Sequence, residues 1–267
     1  MTNEELLSRP LPFEFRDAVA RLRDDLPDVL GSRLVGVYLY GSVLDPSFVP
    51  GRSDLDCITV TSEALEPAEF DRLGAWLKKM QAEDETFERI QMSLLVRDRV
   101  LEDDPSACLY QFGHLVHSGS DGNPIIWLDY LQRGLILLGP DPGEFLPTIG
   151  PDVLRQALVR ELGYLRDEIT TKPESEWRGR ASYRAYAVLT LCRILYSAAT
   201  AQVTSKATAA EWAIHHTPGE ADLHDLIRIA VGVSDLAFVA RIPLPQIERF
   251  IVHVDKVVSA EGARHVP

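Results

Sequence analysis

The feature that most constrains this chain is an apolar run that ends in Gly-Ser, a loop rich in Pro and Gly, and an Asp-x-Asp pair that opens a second apolar run. The segment reads VGVYLYGSVLDPSFVPGRSDLDCITV, with Gly41-Ser42 at the first break and Ser53-Asp54-Leu55-Asp56 at the second. Short apolar runs bounded by turn residues predict strands, so a strand, loop, strand unit is expected here. Residues two apart in a strand point to the same face. Asp54 and Asp56 therefore present two carboxylates side by side, the donors that Mg²⁺ takes together with substrate phosphates. The small Gly41-Ser42 pair allows close backbone approach to a phosphate. Together these residues suggest a site for a metal-bound nucleoside triphosphate.

Periodicity places further elements around this unit. Helical spacing covers 13–30, with Phe15, Val19, Leu22 and Leu26 on one stripe, and 67–83, with Phe70, Leu73, Leu77 and Met80. Strands are expected over 33–40, 56–61 and 89–96. Residues 103–124 read as irregular, with a short element around 109–116; 125–138 read as a helix that breaks near Gly134 and continues as a short extended piece. The run GPDPGEFLP over 139–147 is the best linker candidate. Beyond it the pattern is helical: 152–169, with Asp152 as a plausible N-cap, then 182–200, 208–216, 221–233 and 245–260. The expected fold class is α+β, an amino-terminal α/β domain with a small mixed sheet followed by a carboxy-terminal helical bundle, divided as 1–147 and 148–267.

Composition narrows the partners. A net charge of -13 disfavours nucleic acid, whose backbone demands a basic surface, and favours a cationic ligand. Three cysteines, Cys57, Cys108 and Cys192, without close spacing, suggest neither a disulfide framework nor a zinc site. His114 and His117 stand three apart and would share a helical face, but no third metal ligand accompanies them. No run approaches a membrane span and the amino terminus has no apolar signal core, so the expectation is a cytoplasmic protein without a membrane partner.

Gly41-Ser42 followed by Ser53-Asp54-Leu55-Asp56 resembles the nucleotidyltransferase signature of the DNA polymerase β superfamily. The run AVLTLCRILYSAATAQVTSKATAAEWAI over 187–214 is similar to the helical domain of the aminoglycoside 3″/9 adenylyltransferases, and LILLGPDP over 135–142 matches the end of that family's first domain. The resemblance spans about residues 30 to 255. It implies transfer of AMP from ATP to a hydroxyl of an aminoglycoside or aminocyclitol, with ATP as substrate and Mg²⁺ as cofactor. It implies metal ligation by Asp54 and Asp56, and phosphate binding by Ser42 and the Gly41 backbone. It further implies triphosphate contacts from Arg193 and Lys206, and a helical domain that closes over nucleotide and acceptor. A monomer is compatible with such an architecture.

The chain departs from the family at its third strand and its acceptor site. Where the family carries a general-base glutamate, this chain carries Gln91, and an amide cannot accept a proton at neutral pH. Three readings stay open: Glu88 re-aimed by a bulge, metal coordination alone lowering the hydroxyl pKa, or a nucleotide-binding homologue with weak or lost transfer, acting as a sensor. Streptomycin-modifying members carry a Trp where this chain has Leu115, and an acid before the central helix where this chain reads Arg180-Ala181-Ser182-Tyr183-Arg184. Both changes argue against streptomycin and favour spectinomycin over it, or another hydroxylated ligand altogether. Trp177, in PESEWRGR, and Tyr183 fall where the acceptor should bind. Modification of a protein or tRNA end is disfavoured by the negative charge.

Overall fold

The computed structural model describes residues 11–117, 122–172, 181–217, 221–232 and 242–264. The chain divides into two compact units, Met1–Thr148 and Ile149–Pro267.

The first unit begins with helix α1 (Arg16–Leu30), strands β1 (Leu34–Tyr40) and β2 (Leu55–Thr61), helix α2 (Pro67–Glu83) and strand β3 (Ile90–Val96). Strands β4 (Cys108–Gln111) and β5 (His114–His117), helix α3 (Pro124–Arg133) and strand β6 (Leu135–Leu138) complete it. Its sheet has the order β5-β4-β3-β2-β1-β6. β2 and β3 run parallel, as the α2 crossover between them requires. The other neighbours are antiparallel.

Alternation along the strands divides the side chains between two faces. Val37, Leu39, Cys57, Met92, Leu94, Cys108 and Tyr110 join Leu22 and Leu26 of α1 and Leu73 and Leu77 of α2 in one buried core. On the other face Tyr38 meets Trp127 and Tyr130 of α3 and Phe145, with ring centroids 5.5 to 6.1 Å apart. Asp56 and Gln91 alternate with Cys57 and Met92, so they belong to the Tyr38 face.

Local signals explain most boundaries. Pro67 opens α2, and Glu69 reaches back to the Glu66 N–H at 2.8 Å. Asn123 caps α3 through the Ile125 N–H at 3.0 Å. α3 stops at Gly134, where a Cβ would lie 2.1 Å from Tyr130 Cδ2, so only glycine fits. The element expected around 109–116 is a complete β4–β5 hairpin. Its two-residue turn, Phe112-Gly113, has φ values of 51° and 74°, the left-handed pair of a type I′ turn. An exposed Phe in the first turn position is not a turn signal, which is why periodicity alone left this stretch irregular.

The second unit is helical: α4 (Pro151–Thr171), α5 (Ala181–Thr200), α6 (Lys206–His216), α7 (Ala221–Gly232) and α8 (Leu244–Arg264). α5 packs against the other four helices. Its Ala187, Val188, Leu191, Cys192, Ile194 and Leu195 are buried, the all-round apolarity expected of a central helix. Two boundaries differ from expectation. Gly150, not Asp152, is the N-cap of α4, and Asp152 instead bonds Arg155 one turn on at 2.5 Å. α6 starts at Lys206 rather than 208, because Ser205 accepts from the Thr208 N–H at 3.2 Å and sets the helix start.

Candidate active site

β1 ends at Tyr40, which pairs with Asp56 on β2, and Asp56 pairs with Gln91 on β3. The chain leaves β1 through Gly41 at φ +79°, and a Cβ there would lie 2.4 Å from Asp56 Oδ2. Both the left-handed backbone and the lack of space demand glycine. Gln91 Nε2 donates to Asp54 Oδ2 at 2.8 Å. Four of the expected site residues, Gly41, Asp54, Asp56 and Gln91, are thus one constellation at the ends of three adjacent strands. Ser42 follows Gly41 in the 3₁₀ turn Gly41–Leu44, half-buried, with its carbonyl accepting from the Asp45 N–H at 3.0 Å.

Two ion-pair systems that periodicity did not reveal hold this loop. At the Gly41 end, the backbone N–H donates to Asp129 Oδ2 of α3 at 2.9 Å. Arg133 donates to Asp129 Oδ1 at 2.5 Å and to Asp45 Oδ2 at 2.6 Å. Asp45 in turn accepts from the Ser47 N–H at 2.8 Å. Burial opposes ionisation of Asp45, yet the Ser47 hydrogen bonds and the Arg133 charge outweigh it and hold the carboxyl below its ordinary range. At the far end, Glu14 accepts from the Gly51 N–H at 3.2 Å and from Arg89 at 3.1 Å. Arg89 also donates to the Ser53 carbonyl, next to Asp54. The Arg89 hydrogen bond holds the Glu14 carboxyl low against a smaller effect of burial. The Gly41 N–H, read from the sequence as a phosphate donor, is engaged by Asp129.

Three other sequence readings land elsewhere. Glu88 lies in the 3₁₀ turn Glu85–Arg89 and accepts from Gln81 of α2 at 3.0 Å. The β2–β3 pairing runs without a register shift, so no bulge re-aims Glu88 toward Asp56. Leu115 shares its row with Tyr110 and Met92, and its side chain packs on the core face near Gly74 of α2. That is the opposite face from Asp56 and Gln91. His114 and His117 lie on β5, not on a helix, so an odd spacing turns them to opposite faces. His117 stacks on Phe70 with centroids 4.1 Å apart and meets Cys108 Sγ at 3.3 Å. Burial pushes that thiol up to about 11, so it stays protonated near neutral pH. Among the described residues no group of three or more His, Cys, Asp or Glu side chains is arranged to hold a metal ion.

In the helical unit, Arg193 is half-buried on α5 and Lys206 is exposed at the start of α6. Lys206 Nζ lies 5.0 Å from the centroid of Tyr186, whose ring is 5.8 Å from that of Tyr183. Burial raises the Tyr186 phenol and Glu161 adds to this; the Thr190 hydrogen bond and the nearby Arg193 charge act the other way. Burial likewise raises the Tyr183 phenol, followed by the Glu168 carboxylate of α4. Glu168 is buried and paired with Lys172 at 3.5 Å. The run Arg180-Ala181-Ser182-Tyr183-Arg184 carries no acid, but α4 brings this carboxylate beside Tyr183. Tyr186 was legible as the α5 neighbour one turn from Tyr183 and two from Arg193. Trp177 lies outside the described residues.

Comparison with known proteins gives this geometry a context. Residues 144–233 match the family described as aminoglycoside adenylyltransferase, C-terminal domain. A spectinomycin 9-adenylyltransferase of Staphylococcus aureus is 24% identical over 208 residues, covering 72% of this chain and 75% of that protein. An aminoglycoside (3″) (9) adenylyltransferase of Klebsiella pneumoniae is 26% identical over 228 residues, covering 77% and 83%. The fold is shared with a spectinomycin adenyltransferase from Enterococcus faecialis, crystallised with ATP and spectinomycin, at a TM-score of 0.70 and 17% identity over 91% of this chain and 98% of that one. The chain is thus similar to aminoglycoside adenylyltransferases through its carboxy-terminal helices and over about three quarters of its length, and it shares the fold of a spectinomycin adenyltransferase.

Proposed function

We propose that this protein transfers AMP from ATP to a hydroxyl of an aminocyclitol, with spectinomycin preferred to streptomycin. The observation that carries the reading is the convergence of Gly41, Asp54, Asp56 and Gln91 at the ends of β1, β2 and β3. The relatives' names supply the acceptor class, and the spectinomycin 9-adenylyltransferase among them supports the preference.

Asp54 and Asp56 suit Mg²⁺: both are half-buried oxygen donors, one just before β2 and one within it. Two carboxylates leave the remaining coordination positions to triphosphate oxygens and water, as this ion prefers. A bound Mg²⁺ would supply charge stabilisation to the attacking and leaving oxygens. The protein's own part is positional. Ser42 holds the β,γ-phosphates, and Arg193 and Lys206 are assigned the charge that develops on pyrophosphate as it leaves. The acceptor hydroxyl oxygen bonds to the α-phosphorus while the bond to the β-phosphate oxygen breaks, and the hydroxyl proton goes to solvent. Tyr183, with Glu168 beside it, is assigned to a cationic, hydroxylated acceptor, which an aromatic face and a carboxylate would suit.

The test is pyrophosphate release from Mg²⁺-ATP with each drug offered separately. Release that depends on spectinomycin and is lost in Asp54→Asn is the expected result. No drug-dependent release together with no Mg²⁺-dependent ATP binding would sink the proposal.

One observation favours a second reading, a nucleotide-binding protein with weak transfer. Gln91 holds Asp54 as a donor and offers no base. Calorimetric ATP binding without release would support it. Gln91→Glu then separates the two: with an intact acceptor site, a general base is worth roughly 10²–10⁴-fold in rate, and without one the rate stays unchanged. A second carboxylate at this distance from Asp54 also repels it, which raises the apparent pKa of the pair and should place a new inflection in the pH–rate profile.

A further inference from the structure

We infer that Asp129, acting with Arg133 and Asp45, is the positioning device for the phosphate-binding turn, an inference that rests on the nucleotidyltransferase reading. Asp129 is a carboxylate with only 3% of its surface exposed, on α3, outside the Gly-Ser and Asp-x-Asp segments. A buried carboxylate is retained only when its charge and its oxygens are satisfied. Here one oxygen accepts from the Gly41 N–H and the other from Arg133. Arg133 spans to Asp45, so one guanidinium ties both ends of the Gly41–Leu44 turn to a single helix.

The consequence is chemical as well as mechanical. Gly41 stands at φ +79° with its Cα against Asp56, a conformation that points its N–H away from solvent and into Asp129. With that donor occupied, the turn is held before nucleotide arrives, and Ser42 is the first group of the turn left for phosphate. Arg133 also matters for charge. Without it, Asp129 and Asp45 would stand as two uncompensated carboxylates beside an incoming triphosphate.

The experiment measures Mg²⁺-ATP affinity by calorimetry and the KM for spectinomycin in the intact protein and in Asp129→Ala, Asp129→Asn, Asp45→Asn and the Asp129→Ala/Asp45→Asn double variant. Asp129→Ala strands the Gly41 N–H and should weaken ATP binding by about tenfold or more, with the spectinomycin KM changed less than about twofold. Asp129→Asn, whose amide oxygen can still accept from Gly41, should recover most of that loss. Asp129→Ala and Asp45→Asn should be non-additive, because both act through Arg133. Amide hydrogen exchange at Gly41 should quicken in Asp129→Ala while the β2 amides stay protected.

ATP affinity unchanged in Asp129→Ala, or additive effects of Asp129→Ala and Asp45→Asn, would overturn the inference and leave the function reading standing. An equal loss of ATP and spectinomycin affinity with general loss of exchange protection would reduce Asp129 to a core residue and also overturn it. Failure of the unmodified protein to bind Mg²⁺-ATP would remove the function reading itself, and this inference with it.

Discussion

Gly41 is the residue on which the candidate site turns. Its left-handed backbone alone disfavours any side chain, and the space a methyl group would need is filled by the Asp56 carboxylate at 2.4 Å. Gly41→Ala should therefore displace Asp56 or the turn, lowering ATP affinity by at least about tenfold and costing about 1–3 kcal/mol of stability; calorimetry and denaturant unfolding would check the two effects. A variant that binds ATP normally would show that the turn tolerates the shift. Gly41, Ser42, Asp54 and Asp56 were legible because each stands in a short local pattern, a strand end or a strand start. Gln91 was legible only by alignment to a family pattern, and the structure shows its geometry: opposite Asp56 and bonded to Asp54. Asp129 had no such signal. Arg133 stands four residues on, the spacing of a helical ion pair, but nothing in the sequence ties that pair to Gly41.

Among the elements, the long loop between β1 and β2 would be expected to wander, yet both its ends are tied. Arg133 of α3 clamps its start, and Glu14, just before α1, with Arg89, just before β3, clamps its end. Glu14 and Asp45 both have carboxyls held below their unfolded values of roughly 4.3 and 3.9. Groups depressed on folding add stability that is fully present above the unfolded pKa and disappears as pH falls through the folded one. Glu14→Gln should thus lower thermal stability at pH 7, and the gap to the unmodified protein should narrow below about pH 4. A gap that stays constant from pH 7 to pH 3 would mean that the ionised carboxylate contributes nothing. The same scale shows where periodicity succeeds and fails. α2 was readable to its boundaries because Pro67 and its capping glutamates flank a regular stripe. The β4–β5 hairpin was not, because Phe112 occupies a backbone region that Phe rarely adopts.

At the scale of the whole molecule, charge is the property that reaches beyond the site. A net charge of -13 should draw a cationic acceptor toward the protein from a distance. The KM for spectinomycin should therefore rise by about two- to fivefold between about 50 and 500 mM salt, as the screening length falls toward 4 Å. A salt-independent KM would confine recognition to short-range contacts. No helix among the described residues is long and apolar enough to cross a membrane. The α+β class, the order of nearly every element and the Gly-Ser and Asp-x-Asp segments were determined by the sequence by itself. Hydrophobic period, turn residues and caps act between near neighbours and leave a readable trace. Only the tertiary structure decided which residues complete the site. The bond from Gly41 to Asp129 crosses 88 positions and that from Arg89 to Glu14 crosses 75. Contacts at such separations come from how the sheet brings distant segments together, and they leave no periodic mark in the chain.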